Sequence, residues 1–147
     1  YMDGVLDLEG DVVKVALYEA STAYTPDPDP IVFLDDFLDS GTTAQEWSGS
    51  NYSRQTLSGK SVDPDDTDDE GVFDANNITF PGLGQATGSP DVQGCVLYQQ
   101  VGGDDNTPGN DRVLRIIDDS ETSAFPKTPN GEDFTIAWAS EGIINTT

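Results

Sequence analysis

The chain has no histidine, one cysteine, one methionine, and only three lysines and three arginines in 147 residues. Each shortage closes off a class of chemistry. Without histidine, a Ser or Cys nucleophile lacks its usual general base and zinc lacks its commonest ligand. A single cysteine leaves no internal disulfide, so packing is expected to hold the fold. Cys95 lies within VQGCVLYQQV, where it reads as a small buried side chain rather than a nucleophile. Six cations are too few to neutralise a run of phosphates, which argues against nucleic acid and anionic membranes as direct partners. No apolar run approaches the ~20 residues of a membrane-spanning helix, and no stretch reads as a signal peptide. Tyr1 is not an initiator, so a few residues are expected to precede it.

What the chain has in excess is acid: 28 Asp and Glu, 21 of them Asp, and a formal net charge of -22. Disorder is the plain reading of such a composition, but two Trp, five Tyr, six Phe and several apolar runs give the chain enough to bury. A single domain spanning 1–147 is expected, burying roughly 68–70% of the surface of its unfolded chain. Self-repulsion on this scale opposes a compact state in low salt and is screened within a few Å at molar salt. A halophilic source is therefore expected. An acidic DNA mimic would instead space its carboxylates regularly along helices or strands, and here they cluster between the apolar runs.

In chain order, VVKVALYEA alternates Val13, Val15 and Leu17 against Val12, Lys14, Ala16 and Tyr18, the period of a strand. STAYTPDPDP is too rich in proline for a sheet ladder and reads as a stiff connection. IVFLDDFLDS lies between helix and strand; Phe33, Leu34, Phe37 and Leu38 at helical spacing, with Gly41 as a stop, favour a short helix. From Trp47 the chain reads as loop to Asn51, then as one polar strand over 52–62. VFDA and NITF read as short strands, VQGCVLYQQV as the most apolar strand, and RVLRIID as a buried strand with arginines at its margin. Asn130-Gly131 predicts a hairpin turn into DFTIAWA, where Phe134, Ile136 and Trp138 share a face, and EGII closes the chain. The fold class is all-β: a single antiparallel β-sandwich, jelly-roll-like, with about seven or eight short strands, long acidic loops and little helix.

Candidate chemistry is sparse. VDPDDTDDEG crowds Asp63, Asp65, Asp66, Asp68 and Asp69 together and could offer oxygen ligands to Na⁺, K⁺, Mg²⁺ or Ca²⁺, but its spacing is not that of an EF-hand. A solvated, salt-adapted loop is the plainer reading, and no cofactor is expected. The same holds for GGDDNTPGND, where Asp104, Asp105 and Asp111 flank turn residues. A carboxylate pair can cleave a glycosidic bond, but among 28 acids some pair always stands at a workable separation, so no enzyme is expected. GLGQATG lacks the lysine and the strand-to-helix setting of a phosphate loop. Asn-x-Ser/Thr sequons occur at Asn51, Asn77 and Asn145 where about one is expected by chance. They suggest surface glycosylation, with coincidence in a Thr-rich chain as the alternative.

Four patches carry a resemblance: LDLEGDVVKVALYEASTAYTPD, EWSGSNYSRQTLSGKSV, VFDANNITFPG and TPNGEDFTIAWASEGII. In this order they resemble a family of small virion proteins of tailed phages and archaeal tailed viruses. The family pattern is an acidic run before a Val-rich strand and Tyr-Thr-Pro, then a Gly-Tyr segment leading into Leu-x-Gly-Lys. An Asp-Ala step follows, ending in a hydrophobic residue and Thr, and then an Asn-Gly turn before an aromatic strand. The resemblance implies a β-sandwich structural component without catalytic residues, on the virion as a capsid decoration or turret subunit. The acid load fits a haloarchaeal host. A tail or baseplate component and a host-surface glycan-binding module are the alternatives.

Such a protein would work by docking on a major capsid protein, on other virion proteins, or on its own copies in a symmetric homo-oligomer. The polar strand over 52–62, with Trp47 and Tyr52 as aromatic anchors, and the residues before Asp11 are the expected contacts, with core packing the alternative for both aromatics. Arg54, Arg112 and Arg115 are expected to meet carboxylates within the subunit or across an interface.

Overall fold

A computed structural model describes residues 6–20, 31–38, 44–67, 69–88, 90–118 and 124–146. The fold is all-β and antiparallel with little helix. Ten strands, one short α-helix and a single 3₁₀ turn (Pro108–Asn110) occur among the described residues: β1 (Val13–Ala20), α1 (Leu34–Leu38), β2 (Ala44–Glu46), β3 (Gln55–Thr56), β4 (Ser61–Asp65), β5 (Glu70–Asp74), β6 (Ile78–Phe80), β7 (Gly94–Gln99), β8 (Arg112–Ile117), β9 (Phe134–Ile136) and β10 (Ile144–Thr146). The count exceeds the seven or eight expected because several strands are only two or three residues long. The proline-rich connection 21–30 lies outside the described residues.

The strands form a five-stranded sheet ordered β2-β1-β7-β8 with β3 also on β1, a three-stranded sheet β10-β5-β4, and a β6-β9 pair. β1 and β7 are the centre of the large sheet, in register from Val13 opposite Gln99 to Tyr18 opposite Gly94. Both strands are buried on both faces. On one face Val13, Val15, Leu17, Cys95 and Leu97 pack with Phe73, Ile78, Phe80, Phe134, Ile136 and Ile143 of the two smaller sheets. On the other, Ala16, Tyr18, Val96 and Tyr98 pack under Leu34 and Phe37 of α1. This two-sided burial explains why VVKVALY and CVLY read as nearly unbroken apolar runs. The rings of Tyr18 and Phe37 meet edge to face at 4.9 Å, and burial of each contributes roughly 1.5–3 kcal/mol.

The short helix forms where its spacing predicted it. Asp36 accepts the backbone N–H groups of Val32 and Phe33, and Leu34 N donates to Asp111 O at 2.9 Å, which ties α1 to the start of β8. No helix among the described residues is long and apolar enough to cross a membrane.

The structure corrects four sequence expectations. The single strand over 52–62 is two, because the chain leaves the large sheet after Leu57, turns at Gly59 (φ +62°) and enters the three-stranded sheet at Ser61. The acidic loop 62–71 is mostly a hairpin, with Asp63 opposite Val72 and Asp65 opposite Glu70. Pro64 is tolerated there because β4 is an edge strand. Asn130-Gly131 turns as expected, with Gly131 at φ +87°, but makes no hairpin. Lys127 on one side bridges to Val92, while β9 on the other pairs with β6. β8 is half-buried for most of its length rather than fully buried, since it lies at the edge of its sheet. β2, which the sequence reading left unassigned, pairs with the end of β1.

Candidate functional site

A polar cluster forms where β1, β2, β7, the residues before β3 and the 101–111 loop meet. The register of β1 and β7 sets Lys14 opposite Tyr98. Lys14 stands among valines on a buried strand, and its ammonium is matched there by the Asp105 carboxylate, with Nζ to Oδ1 and Oδ2 distances of 2.7 and 2.5 Å. Tyr98 OH and Gln100 Nε2 also donate to Asp105 Oδ1, at 3.0 and 2.6 Å. Arg54 forms a two-pronged pair with Glu46, Nε to Oε1 and Nη2 to Oε2 both 2.7 Å. Its guanidinium lies 5.5 Å from the centre of the Tyr98 ring and donates to the Asp105 carbonyl at 3.3 Å. Tyr52 completes the cluster: its hydroxyl donates to Glu46 Oε1 at 2.8 Å and accepts from Leu17 N at 3.1 Å.

The electrostatics follow from this wiring. Hydrogen bonding to Glu46 raises the Arg54 guanidinium further above its ordinary range, against the opposing effect of burial. Burial, then the negative charge of Glu46, pushes the Tyr52 phenol up, and burial does the same for Tyr98. At Asp105 burial acts upward, but the hydrogen bonds from Lys14 and Tyr98 outweigh it and hold the carboxyl below its ordinary value. Asp111 is the opposite case. It is fully buried, its Oδ1 accepts from Val101 N at 2.8 Å, its Oδ2 has no partner, and burial raises its pKa.

Of the expected contact residues, Trp47 is in the core, 1% exposed, rather than at the surface. Its ring packs with the large sheet's inner face, and its backbone N–H donates to Leu17 O at 2.9 Å. Tyr52 is half-buried, stacked on Phe80 at 6.1 Å. Arg54 meets carboxylates within its own subunit, as above, and Arg115 donates to the Ile143 carbonyl, while Arg112 is exposed.

Asp63 and Asp65 lie on β4, Asp66 and Asp69 at the hairpin turn, and Asp68 outside the described residues. Asp63, Asp65, Asp66, Ser140 and Glu141 border a shallow hollow of about 230 Å³. Among the described residues no group of three or more His, Cys, Asp or Glu converges as a metal centre. The sequon asparagines are all exposed; Asn51 Nδ2 donates to Gly82 O and Asn145 Nδ2 to Glu70, while Asn77 accepts from Trp138 N.

Lys14, Glu46 and Tyr98 escaped the sequence reading as site residues, and Asp105 was read only as an acid of a solvated loop. The available signal was Lys14 itself, a lone cation in a Val-rich strand, which needs a carboxylate from somewhere distant in the chain. GGDDNTPGND is also not the freely solvated loop expected, since Asp105 pins its middle and Asp111 is buried at its base. Compared with protein-family models, curated proteins and solved structures, the chain matches none.

Proposed function

We propose that this chain is a structural protein of the particle surface of a haloarchaeal tailed virus, a capsid decoration or turret subunit acting through symmetric protein–protein contacts rather than catalysis. The observation that carries the reading is the order of the four resembling patches. Within the described residues they coincide with β1, with β2 to the start of β4, with β5 and β6, and with β9 to the start of β10. They therefore span strands of all three sheets, not one local motif. The finer architecture belongs to the same proposal: a jelly-roll-like sandwich, supported by the core that the large sheet shares with the two smaller ones.

The cluster's role in this reading is mechanical. Lys14 and Arg54 are used inside the subunit, where they brace the 101–111 loop and the strand starts, so the outward surface is left strongly acidic. Such a surface keeps subunits apart in dilute salt and soluble in brine, and leaves assembly to apolar patches and edges. The partners are the major capsid protein, other virion proteins and further copies of the chain.

Immunogold labelling of purified particles tests the assignment. Gold distributed over the capsid is expected. Gold confined to the tail or baseplate would move the protein there, and particles free of the chain would end the virion reading.

A further inference from the structure

Two edge strands of the fold carry opposite character. β8 is the edge of the large sheet, and Arg115 on it donates to the carbonyl of Ile143, just before β10. β8 therefore lies on the β10 side of the three-stranded sheet, and β4 is that sheet's other edge, two strand spacings or ~10 Å away. Beside β8, Ile117, Ile136, Trp138 and Ile143 line an apolar cavity of about 120 Å³, with the exposed Ala139 and the Arg115 side chain completing its wall. Arg112, at the start of the same strand, is exposed and forms no ion pair with any described residue. Two of the six cations of the chain thus stand on one edge.

The β4 edge is the complement. Val62 stands opposite Phe73, and residues directly opposite share a face of the sheet. Phe73 is covered by the core, whereas Val62, on the edge strand, is left 46% exposed. Of the large apolar residues exposed among the described residues it is the one held within a strand. Asp63, Asp66 and Asp69 of the same hairpin are exposed. Pro64 removes a backbone donor from this edge, so contact there falls to side chains rather than to a continued ladder.

We propose that the β4 edge of one copy docks on the β8 edge of the next, with Val62 entering the cavity and the acidic hairpin facing Arg112 and Arg115. The match is one of size and sign. An apolar cavity of order ~150 Å³ stays dry and takes a benzene-sized group, so a valine side chain fits this one. In so acidic a chain, an acidic hairpin is repelled from most of a second copy and attracted to the edge where the arginines stand. The contact joins two different edges, so it is head-to-tail and generates a ring where the rotation closes. It deepens the proposed function and rests on that reading for its occupant, a second copy, but it is tested without a particle.

The test is sedimentation equilibrium of the full chain in ~3 M NaCl. The unaltered chain is expected to associate. Val62→Glu removes the inserted side chain and Ala139→Leu fills the cavity; both positions are exposed, and each variant is expected to fold and to associate roughly tenfold more weakly or worse. Mixed in equal amounts, the two variants are expected to form a one-to-one pair and nothing larger, because each keeps one working edge. Arg112→Glu is expected to weaken association too, with a loss that shrinks as NaCl rises from ~0.5 to ~3 M, and it tests the β8 edge should Ala139→Leu fail to fold. Undiminished association of the folded variants overturns this contact and leaves symmetric assembly to another face, and a mixture that restores no pair overturns the head-to-tail arrangement. An unaltered chain that stays monomeric overturns the second copy as occupant in favour of a foreign protein, and leaves the particle assignment to the gold labelling.

Discussion

At the residue scale, Arg54 joins the most parts of the fold. Its fork grips both oxygens of Glu46, its plane covers Tyr98 and its remaining nitrogen reaches the Asp105 carbonyl. The side chain is 12% exposed and Glu46 28%, so the pair is neither fully screened nor fully dry. Removing one partner leaves a half-buried charge unmatched, and Arg54→Ala is expected to lower stability by about 2–3 kcal/mol. Arg54→Lys keeps the charge but loses the two-pronged geometry and the ring contact, and about half of that loss is expected to remain. Thermal unfolding of both variants at one fixed high salt concentration checks this. A lysine variant as stable as the unaltered chain would reduce the role of Arg54 to bare charge. Much of this was hidden in the sequence for a physical reason. Tyr52 and Arg54 are polar residues on a polar stretch, which looks like surface. Whether they face water or a partner depends on Glu46 and Asp105, which only the tertiary fold brings to them.

At the element scale, the apolar strands were legible and the polar ones were not. β1, β7 and β8 declare themselves through runs of Val, Leu and Ile, and α1 through the spacing of Leu34 and Phe37. The break within 52–62 is marked by a single glycine, too weak a signal beside a long polar run. The acidic hairpin is contrary to strand propensity, and it forms because β5 supplies a pairing partner for β4. Trp47 was left between interface and core for a related reason. It enters the core because two loops cross closely beside it, at Gly49 and Gly84. A Cβ on Gly49 would lie 2.1 Å from the Gly84 carbonyl oxygen and 2.4 Å from Trp47 Nε1. Gly49→Ala is therefore expected to be destabilising by about 1–3 kcal/mol through overpacking, with the Trp47 fluorescence changed in the folded state. An alanine variant with unaltered Tm and spectrum would mean that the crossing is looser than this.

At the scale of the whole molecule, charge decides behaviour. A chain of net charge -22 with two of its six cations spent in one internal cluster keeps its outer surface almost wholly acidic. Fold class was readable from composition and period alone, because it depends on sums over many residues, and the expected salt preference is a proposal drawn from the same kind of sum. The proposed place on a particle surface is not readable in that way, because it depends on a partner. The measurement that bears most directly on the central claim is the mass of the purified chain by light scattering in ~3 M and in ~0.1 M salt, where the Debye length grows from under 3 Å to about 10 Å. A halophilic particle-surface subunit predicts a closed ring at high salt that dissociates into loosened monomers at low salt. A monomer of unchanged mass and compactness in both would contradict it.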